Sequence, residues 1–195
     1  MSLSPGHDLP VRLQQHDFLH LIRELEVRSQ HRREAGAFLL APLHEGRADL
    51  PVSGCAVIEV AYYDDLDPTC LTGGITFDAD GYGRLNELCR DHQVRVVADI
   101  HLHPGAGIRQ SKIDSAHPMV ARSGHLALIA PSYGRGVVRT HQLGAHVKTT
   151  DGWRAFLGDE VADVLAVRPT WRGRLMQLKM RLDAHLGRRR TRSQR

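Results

Sequence analysis

The β-branched run VRVVADI, residues 94–100, limits the possible folds more than any other segment of the chain. Valine and isoleucine have restricted χ1 angles and favour a pleated, buried strand. The run is followed by the glycine-containing loop PGAGIRQ, residues 104–110, and then by SKID, residues 111–114, which is typical of a helix start. The fold must therefore contain both strands and helices.

Hydrophobic periodicity predicts helices near both ends of the chain and one in the middle. Apolar residues at helical spacing indicate a helix over Val11–Arg28, with Asp8 as its cap and Pro10 in its first turn. A second helix is predicted at residues 81–92. From about Phe156 the pattern is again helical, with a break near Pro169 and then an apolar stripe from Trp171 to Leu186.

Short apolar runs predict strands between these helices, at residues 35–43, 55–65, 75–77, 125–132, 136–143 and 146–156. Because helices and strands do not alternate strictly, we expect a mixed α/β (α+β) domain with a central mixed sheet and not a doubly wound dinucleotide fold. No G-x-G-x-x-G follows a strand and no P-loop is present, so the sequence gives no support for nucleotide chemistry.

The length of 195 residues, 42% of them hydrophobic, suits one globular domain with a short appendage. We place the main domain at residues 1–155, a C-terminal helical extension at 156–187 and a basic disordered tail at 188–195. Three cysteines without a C-x-x-C pair are expected to be reduced. No apolar stretch is long enough for a membrane span, so we expect a cytoplasmic protein without a membrane partner.

Positive charge is concentrated at the C-terminus. Residues 168–195 hold ten Lys or Arg and one acid, a charge of +9, whereas the other 167 residues hold 16 basic and 21 acidic side chains, a charge of −5. Such a tail can contact nucleic acid, an anionic membrane or an acidic protein, or it can simply be solvated. A solvated tail is the interpretation we favour.

The segment HLHPGAGIRQSKID, residues 101–114, contains the residues most suited to chemistry. His101 and His103 lie two apart at the end of a strand, so both imidazoles point to the same side. The glycine loop allows Asp114 to return over the strand end. Two imidazoles and one carboxylate are a suitable ligand set for Zn²⁺ that leaves a fourth position for water. Ser111 and Asp114 also fit an ordinary helix N-terminus.

This motif resembles that of the JAB/MPN metallopeptidases, the JAMM motif, in which an upstream glutamate precedes H-x-H, seven residues and S-x-x-D. The resemblance covers roughly Val11 to Trp153, and Glu34, just before the hydrophobic run AGAFLLAPL, matches the glutamate. It implies a cytidine-deaminase-like JAB/MPN fold, a curved mixed sheet flanked by helices. It also implies a zinc peptidase in which Glu34 acts on water and Ser111 can stabilise an oxyanion.

The short segments around the motif resemble the compact prokaryotic members of that family. The resemblance implies a zinc-dependent peptidase or isopeptidase that processes or deconjugates a bacterial ubiquitin-like or sulfur-carrier protein, and one possible setting is an antiviral conjugation operon. Activating-enzyme-like and conjugating-enzyme-like proteins are the further partners expected. The alternatives are a DNA-repair-associated relative that binds nucleic acid, which lacks support because the expected N-terminal module is missing, and a noncatalytic scaffold.

Four other residues receive less weight. Asp99, two residues before His101, could orient an imidazole or simply close the strand. His117 follows Asp114 closely, but the family pattern has no ligand there. A thiol mechanism using Cys89 and His92 lacks an orienting third group.

Overall fold

The computed structural model describes residues 11–43, 55–137 and 139–180. Its centre is a six-stranded mixed sheet with the strand order β3-β2-β4-β5-β6-β7. These strands span β2 (Gly36–Pro42), β3 (Glu59–Tyr62), β4 (Val94–Leu102), β5 (Leu126–Ala130), β6 (Gly144–Lys148) and β7 (Trp153–Leu157). Strands β4 and β5 are parallel and the other neighbours are antiparallel. The predicted central mixed sheet is therefore present.

Strand β4, the β-branched run of the sequence, lies inside the sheet between β2 and β5. Val97, Ala98, Ile100 and Leu102 are fully buried, as expected for a strand covered on both faces. The pairing of β2 with β4 shifts between Leu39 and Leu40, which adds one residue to β4 at a β-bulge. Beyond the bulge, successive β4 residues face opposite sides of the sheet.

Helices cover both faces of the sheet. Helix α1 (Gln15–Ser29) packs on the face of Leu102, where Ile22 and Leu102 both approach Gly134. On the opposite face, α2 (Tyr63–Leu66) and α3 (Ala79–Asp91) accompany an aromatic cluster, whose members are Phe38, Tyr63, Phe77 and Tyr82. Phe38 is paired with Asp99, so Asp99 and His101 belong to this second face.

The N-terminal helix begins later than predicted. Residues Val11–Gln14 form strand β1, which pairs in parallel with β8 (Leu165–Arg168) through Val11 and Leu165, and only then does α1 begin. Val11 is apolar and buried in either interpretation, so periodicity could not distinguish the two. The predicted cap residues Asp8 and Pro10 lie outside the described residues.

The C-terminal half differs from the prediction at several points. In the predicted strand 136–143 the described residues, 136–137 and 139–143, form turns and a 3₁₀ helix (Thr140–Gln142) and not a strand. Residues 146–156 contribute to two strands, β6 and β7. The segment 75–77 makes only an isolated bridge, from Ile75 to Leu71. Residues 158–168 hold a 3₁₀ helix and β8, so the continuous helix predicted from Phe156 is wrong there.

A helix does cover residues 171–180, as the apolar stripe predicted. The described residues of the stripe do not pack on the sheet, because Trp171, Leu175 and Leu178 are exposed. Met176 and Met180, on the other side of the helix, are partly buried against the core. Leu182, Leu186 and the tail at 188–195 lie outside the described residues. Within the described ranges, no helix is long and apolar enough to cross a membrane.

Candidate metal centre

The end of β4 brings the two histidines of the motif together. His101 lies in the strand opposite Gly36 of β2, and His103 continues the ladder with β5 by donating its backbone N–H to the Ala130 carbonyl at 2.9 Å. The two Nε2 atoms are 3.1 Å apart, so both imidazoles project to the same side. The two-residue strand period accounts for this arrangement.

Helix α4 (Lys112–Ala116) delivers the carboxylate. Ser111 caps this helix by accepting from the Asp114 backbone N–H at 3.1 Å, and the Ser111 N–H donates to Asp114 Oδ2 at 2.7 Å. This reciprocal capping box orients the Asp114 side chain. Asp114 Oδ2 lies 3.3 Å from His103 Nε2, and Oδ1 lies 3.7 Å from His101 Nε2.

His101, His103 and Asp114 form a group that could hold a metal ion, the one such group within the described ranges, with ligand atoms all within 4.8 Å of one another. Tetrahedral zinc with bonds near 2.0–2.2 Å requires ligand atoms about 3.3 Å apart. The two imidazole Nε2 atoms lie 3.1 Å apart, close to that spacing, and the Asp114 carboxylate approaches His103 to 3.3 Å through Oδ2 and His101 to 3.7 Å through Oδ1. The donor set and its geometry therefore fit a zinc ion with one position left open.

A backbone carbonyl sets the orientation of the His103 ring. His103 Nδ1 lies 3.1 Å from the Gly107 carbonyl oxygen, which can only accept, so Nδ1 carries the proton in this contact. In the neutral imidazole the lone pair is then on Nε2, the atom that faces the cluster. Contacts of this kind commonly orient metal-binding histidines.

The loop that carries Gly107 is held in place by a close approach to β6. His146 Nε2 lies 3.0 Å from the Ile108 carbonyl oxygen, and a Cβ added at Gly144 would lie 1.8 Å from the same oxygen. Only a residue without a side chain allows this packing, because the obstructing atom belongs to the backbone.

We therefore expect Gly144→Ala to displace the loop, to weaken metal binding and to lower the melting temperature. Gly83→Ala on α3 is the matched control, since a Cβ there meets nothing within 4 Å and alanine is the better helix former. Calorimetric titration of Zn²⁺ and thermal unfolding would measure both effects. Equal zinc affinity in the two variants would show that the loop does not support the site.

Glu34 lies at the side of the cluster, two residues before β2 begins. Its backbone N–H donates to the Gly73 carbonyl at 2.9 Å, and its side chain lines the same cleft as the three cluster residues. Burial raises the pKa of Glu34 above its usual value, while the nearby imidazoles of His101 and His103 act in the opposite direction. A carboxylate with a raised pKa beside a metal-binding cluster is suited to accept and return a proton.

The cluster residues are also electrostatically coupled. The hydrogen bond to Asp114 raises the pKa of His103 despite the opposing effect of burial. Burial of Asp114 disfavours its ionisation, but hydrogen bonds with His101 and His103 outweigh this and hold the pKa of the carboxyl well below its usual range. Asp114 is therefore ionised at neutral pH, the form that a metal requires.

The cluster lies in a cleft of about 630 Å³. Ser111 lines it together with Glu34. The capping contact uses the Ser111 hydroxyl oxygen as acceptor, which leaves the hydroxyl proton able to donate into the cleft. The helix-cap role and the predicted catalytic role of Ser111 are thus compatible.

Comparison with known proteins shows similarity in fold. No family model matches the chain. A solved protein from Desulfitobacterium hafniense is similar, with a TM-score of 0.52, 14% identity and coverage of 82% of this chain and 94% of that one. A protein from Salinibacter ruber has a TM-score of 0.49 at 17% identity, covering 82% and 92% of the two chains. A JAB1/MPN domain protein from Archaeoglobus fulgidus has a TM-score of 0.39 at 10% identity, covering 85% and 100%.

The first likeness shows that this mixed α/β arrangement occurs in a solved protein.

The buried Asp99 makes contacts that the sequence did not indicate. Its carboxylate accepts from the Tyr63 hydroxyl at 3.2 Å and lies 2.5 Å from His125 Nε2, and His125 is fully buried. These contacts place Asp99 in a hydrogen-bonded group beneath the cleft. Tyr63 and His125 come from segments predicted only as strands, so hydrophobic patterning gave no signal for them.

His117 is among the other residues that line the cleft, and it is not one of the three clustered ligand candidates. Ile113 and Trp153 also line the cleft, and sequence reasoning assigned neither a role.

Proposed function

We propose that this chain is a zinc-dependent peptidase or isopeptidase of the JAB/MPN type, with a ubiquitin-like protein or its conjugates as substrate. The observation that carries the proposal is the convergence of His101, His103 and Asp114 at the spacing of a tetrahedral site, with the Glu34 carboxylate in the same cleft. The resemblance of the motif to the JAMM pattern supports the same assignment.

In this mechanism His101, His103 and Asp114 would hold the zinc. When bound, zinc lowers the pKa of water and polarises the carbonyl group. Glu34 accepts a proton from the attacking water and passes it to the leaving nitrogen, so that the amide C–N bond breaks and an amine and a carboxylate form. The Ser111 hydroxyl donates a hydrogen bond to the oxygen on which negative charge develops.

In the proposed substrate, glycines directly precede the bond that is cleaved. Glycine residues have no side chain to obstruct the approach of an extended backbone to the cluster. A bacterial ubiquitin-like or sulfur-carrier protein with such a tail fits this requirement, either as a precursor or joined to another protein. Activating-enzyme-like and conjugating-enzyme-like proteins would then be functional partners, as in an antiviral conjugation operon.

The direct test is incubation of the zinc-loaded protein with a diglycine-ended ubiquitin-like protein carrying a C-terminal extension, and with its isopeptide conjugates. We expect mass spectrometry to show one cut, directly after the second glycine. Chelation should stop the reaction and added Zn²⁺ should restore it. A protein that binds zinc but cleaves neither substrate type would contradict the proposed activity.

The basic tail is expected to be dispensable for bond cleavage. The motif residues lie in the portion with charge −5, whereas the last 28 residues carry +9. Long-range attraction by the tail would raise the association rate and weaken with salt. We therefore expect a chain ending at Gly187, a position outside the described residues, to keep its kcat. Loss of turnover at saturating substrate, with zinc and fold intact, would place the tail in the active site.

A further inference from the structure

One wall of the cleft is apolar and uncovered within the described part of the chain. Ile113 directly precedes Asp114 on α4, yet its relative exposure is 73%. Helix α4 has no buried residue, so Ile113 does not belong to the core. Large apolar side chains beside a polar site commonly mark a binding surface.

Trp153 extends the same wall and is held against α4. Its indole Nε1–H donates to the Ser115 carbonyl at 3.3 Å, and the Lys148 ammonium lies 5.5 Å from the centroid of its ring. Ile113 and Trp153 line the cleft that contains the metal cluster. We call these two residues the apolar shelf.

The part of the cleft around Glu34 differs in chemistry. Around Glu34 the exposed side chains that line the cleft are Thr72 and Thr76, and Ile75 between them packs against the core. A substrate in the cleft therefore meets a polar wall on the Glu34 side and the apolar shelf on the Asp114 side. This asymmetry gives the two sides of the cleft different side-chain preferences.

We propose that the apolar shelf determines specificity by binding an aliphatic chain on the leaving-group side of the scissile bond. This inference rests on the proposed function: if glycines occupy the acyl side, the nearest substrate side chain belongs to the residue that supplies the leaving nitrogen. The aliphatic chain can come from an apolar residue after the glycines or from the methylene stem of an isopeptide-linked lysine, since both bury CH₂ groups on the shelf.

Matched substrates test the shelf. Diglycine-ended ubiquitin-like fusions that differ only in the next residue, Leu, Ser or Asp, would be compared with a lysine isopeptide conjugate. We expect kcat/KM for Leu to exceed that for Asp by about tenfold or more. If kcat/KM for the isopeptide conjugate is close to that for the Leu fusion, the methylene stem of the lysine binds the apolar shelf. If it is close to that for the Ser fusion, the apolar shelf binds only apolar residues in linear chains. Equal rates for Leu, Ser and Asp would overturn the proposal.

Ile113→Thr should reduce the preference for Leu over Asp to about threefold or less while zinc content stays the same, because threonine keeps the β-branched shape but loses apolar surface. Lys112→Ser on the same helix is the control and should keep the wild-type ratio, since Lys112 does not line the cleft. An undiminished preference in Ile113→Thr would overturn the assignment.

Binding separates this inference from the proposed activity. Zinc-loaded Glu34→Gln protein would be titrated with Gly-Gly-Leu and Gly-Gly-Asp peptides. If the wild type cleaves no fusion, the proposed function fails, but a Kd ratio of about tenfold in favour of Leu still supports the shelf. Equal Kd values would overturn the shelf even if hydrolysis occurs.

Discussion

Glu34→Gln is expected to lower kcat by about 100- to 10,000-fold, the usual contribution of a general base, while zinc content and fold remain. Glu34→Ala should behave in the same way. The reason is that Glu34 lies beside the cluster without being one of its three ligand candidates, so it acts on a proton and not on the metal. Single-turnover kinetics with a ubiquitin-like fusion, together with elemental analysis, would measure both properties.

Glu34→Gln should also increase the free energy of unfolding at neutral pH. Burial raises the pKa of Glu34, so folding disfavours its ionised form. The wild type therefore loses stability as the pH rises from the unfolded-state pKa of Glu34 to its higher folded-state pKa. This loss remains at all pH values above the folded-state pKa. The melting temperature of Glu34→Gln should therefore exceed that of the wild type at pH 7 and approach it at pH values below the unfolded-state pKa.

The exposed Glu87 on α3 provides the control. Glu87→Gln should leave turnover unchanged. Near wild-type turnover in Glu34→Gln would show that another group accepts the proton. In the wild type, activity should rise with pH through a pKa above the ordinary value for glutamate. If Glu34→Gln lacks this rise, the titrating group is Glu34.

His103→Ala is expected to reduce bound zinc from one ion per chain to nearly none, and to abolish hydrolysis with it. The His103 Nε2 atom lies 3.1 Å from His101 Nε2 and 3.3 Å from the Asp114 carboxylate, so its loss leaves two ligands where tetrahedral zinc needs at least three from the protein. Asp114→Ala should have a comparable effect. Elemental analysis after dialysis against a weak chelator would measure the stoichiometry.

His117→Ala is the matched control for zinc loss, because His117 lines the same cleft outside the cluster and should leave the stoichiometry unchanged. Equal zinc in wild type and His103→Ala would disprove the ligand assignment. Zinc affinity should fall as the pH falls, since protons compete for the imidazoles. The raised pKa of His103 means that this competition begins at a higher pH than for an unperturbed histidine.

Local patterns predicted the elements that carry the cluster. The β-branched run became β4, and residues 81–92 fall largely within α3. Ser111 became the cap of α4 with Asp114 in a capping box. These predictions succeeded because strand alternation and helix capping depend on neighbours a few residues apart.

The secondary-structure predictions failed where an apolar residue fits two different secondary structures. Val11 fits the face of an amphipathic helix, but it lies in β1 because β8 supplies a pairing partner from the other end of the chain. Residues 136–143 contain valines typical of a strand, yet the described residues of that segment, 136–137 and 139–143, form turns and a short 3₁₀ helix before β6. Which apolar run pairs with which depends on contacts distant in sequence, and periodicity does not report them.

The sequence by itself determined that His101, His103 and Asp114 could share a site, since a strand end, a glycine loop and a helix cap bring the three together within one short segment. Tertiary structure decided what surrounds them. Glu34 reaches the cleft because β2 pairs antiparallel with β4, with Gly36 opposite His101. The apolar shelf combines Ile113 of α4 with Trp153 at the start of β7, and the polar part of the cleft comes from Thr72 and Thr76. Strand register and packing between distant segments fix these positions. Both depend on burial of the whole core and not on any local sequence pattern.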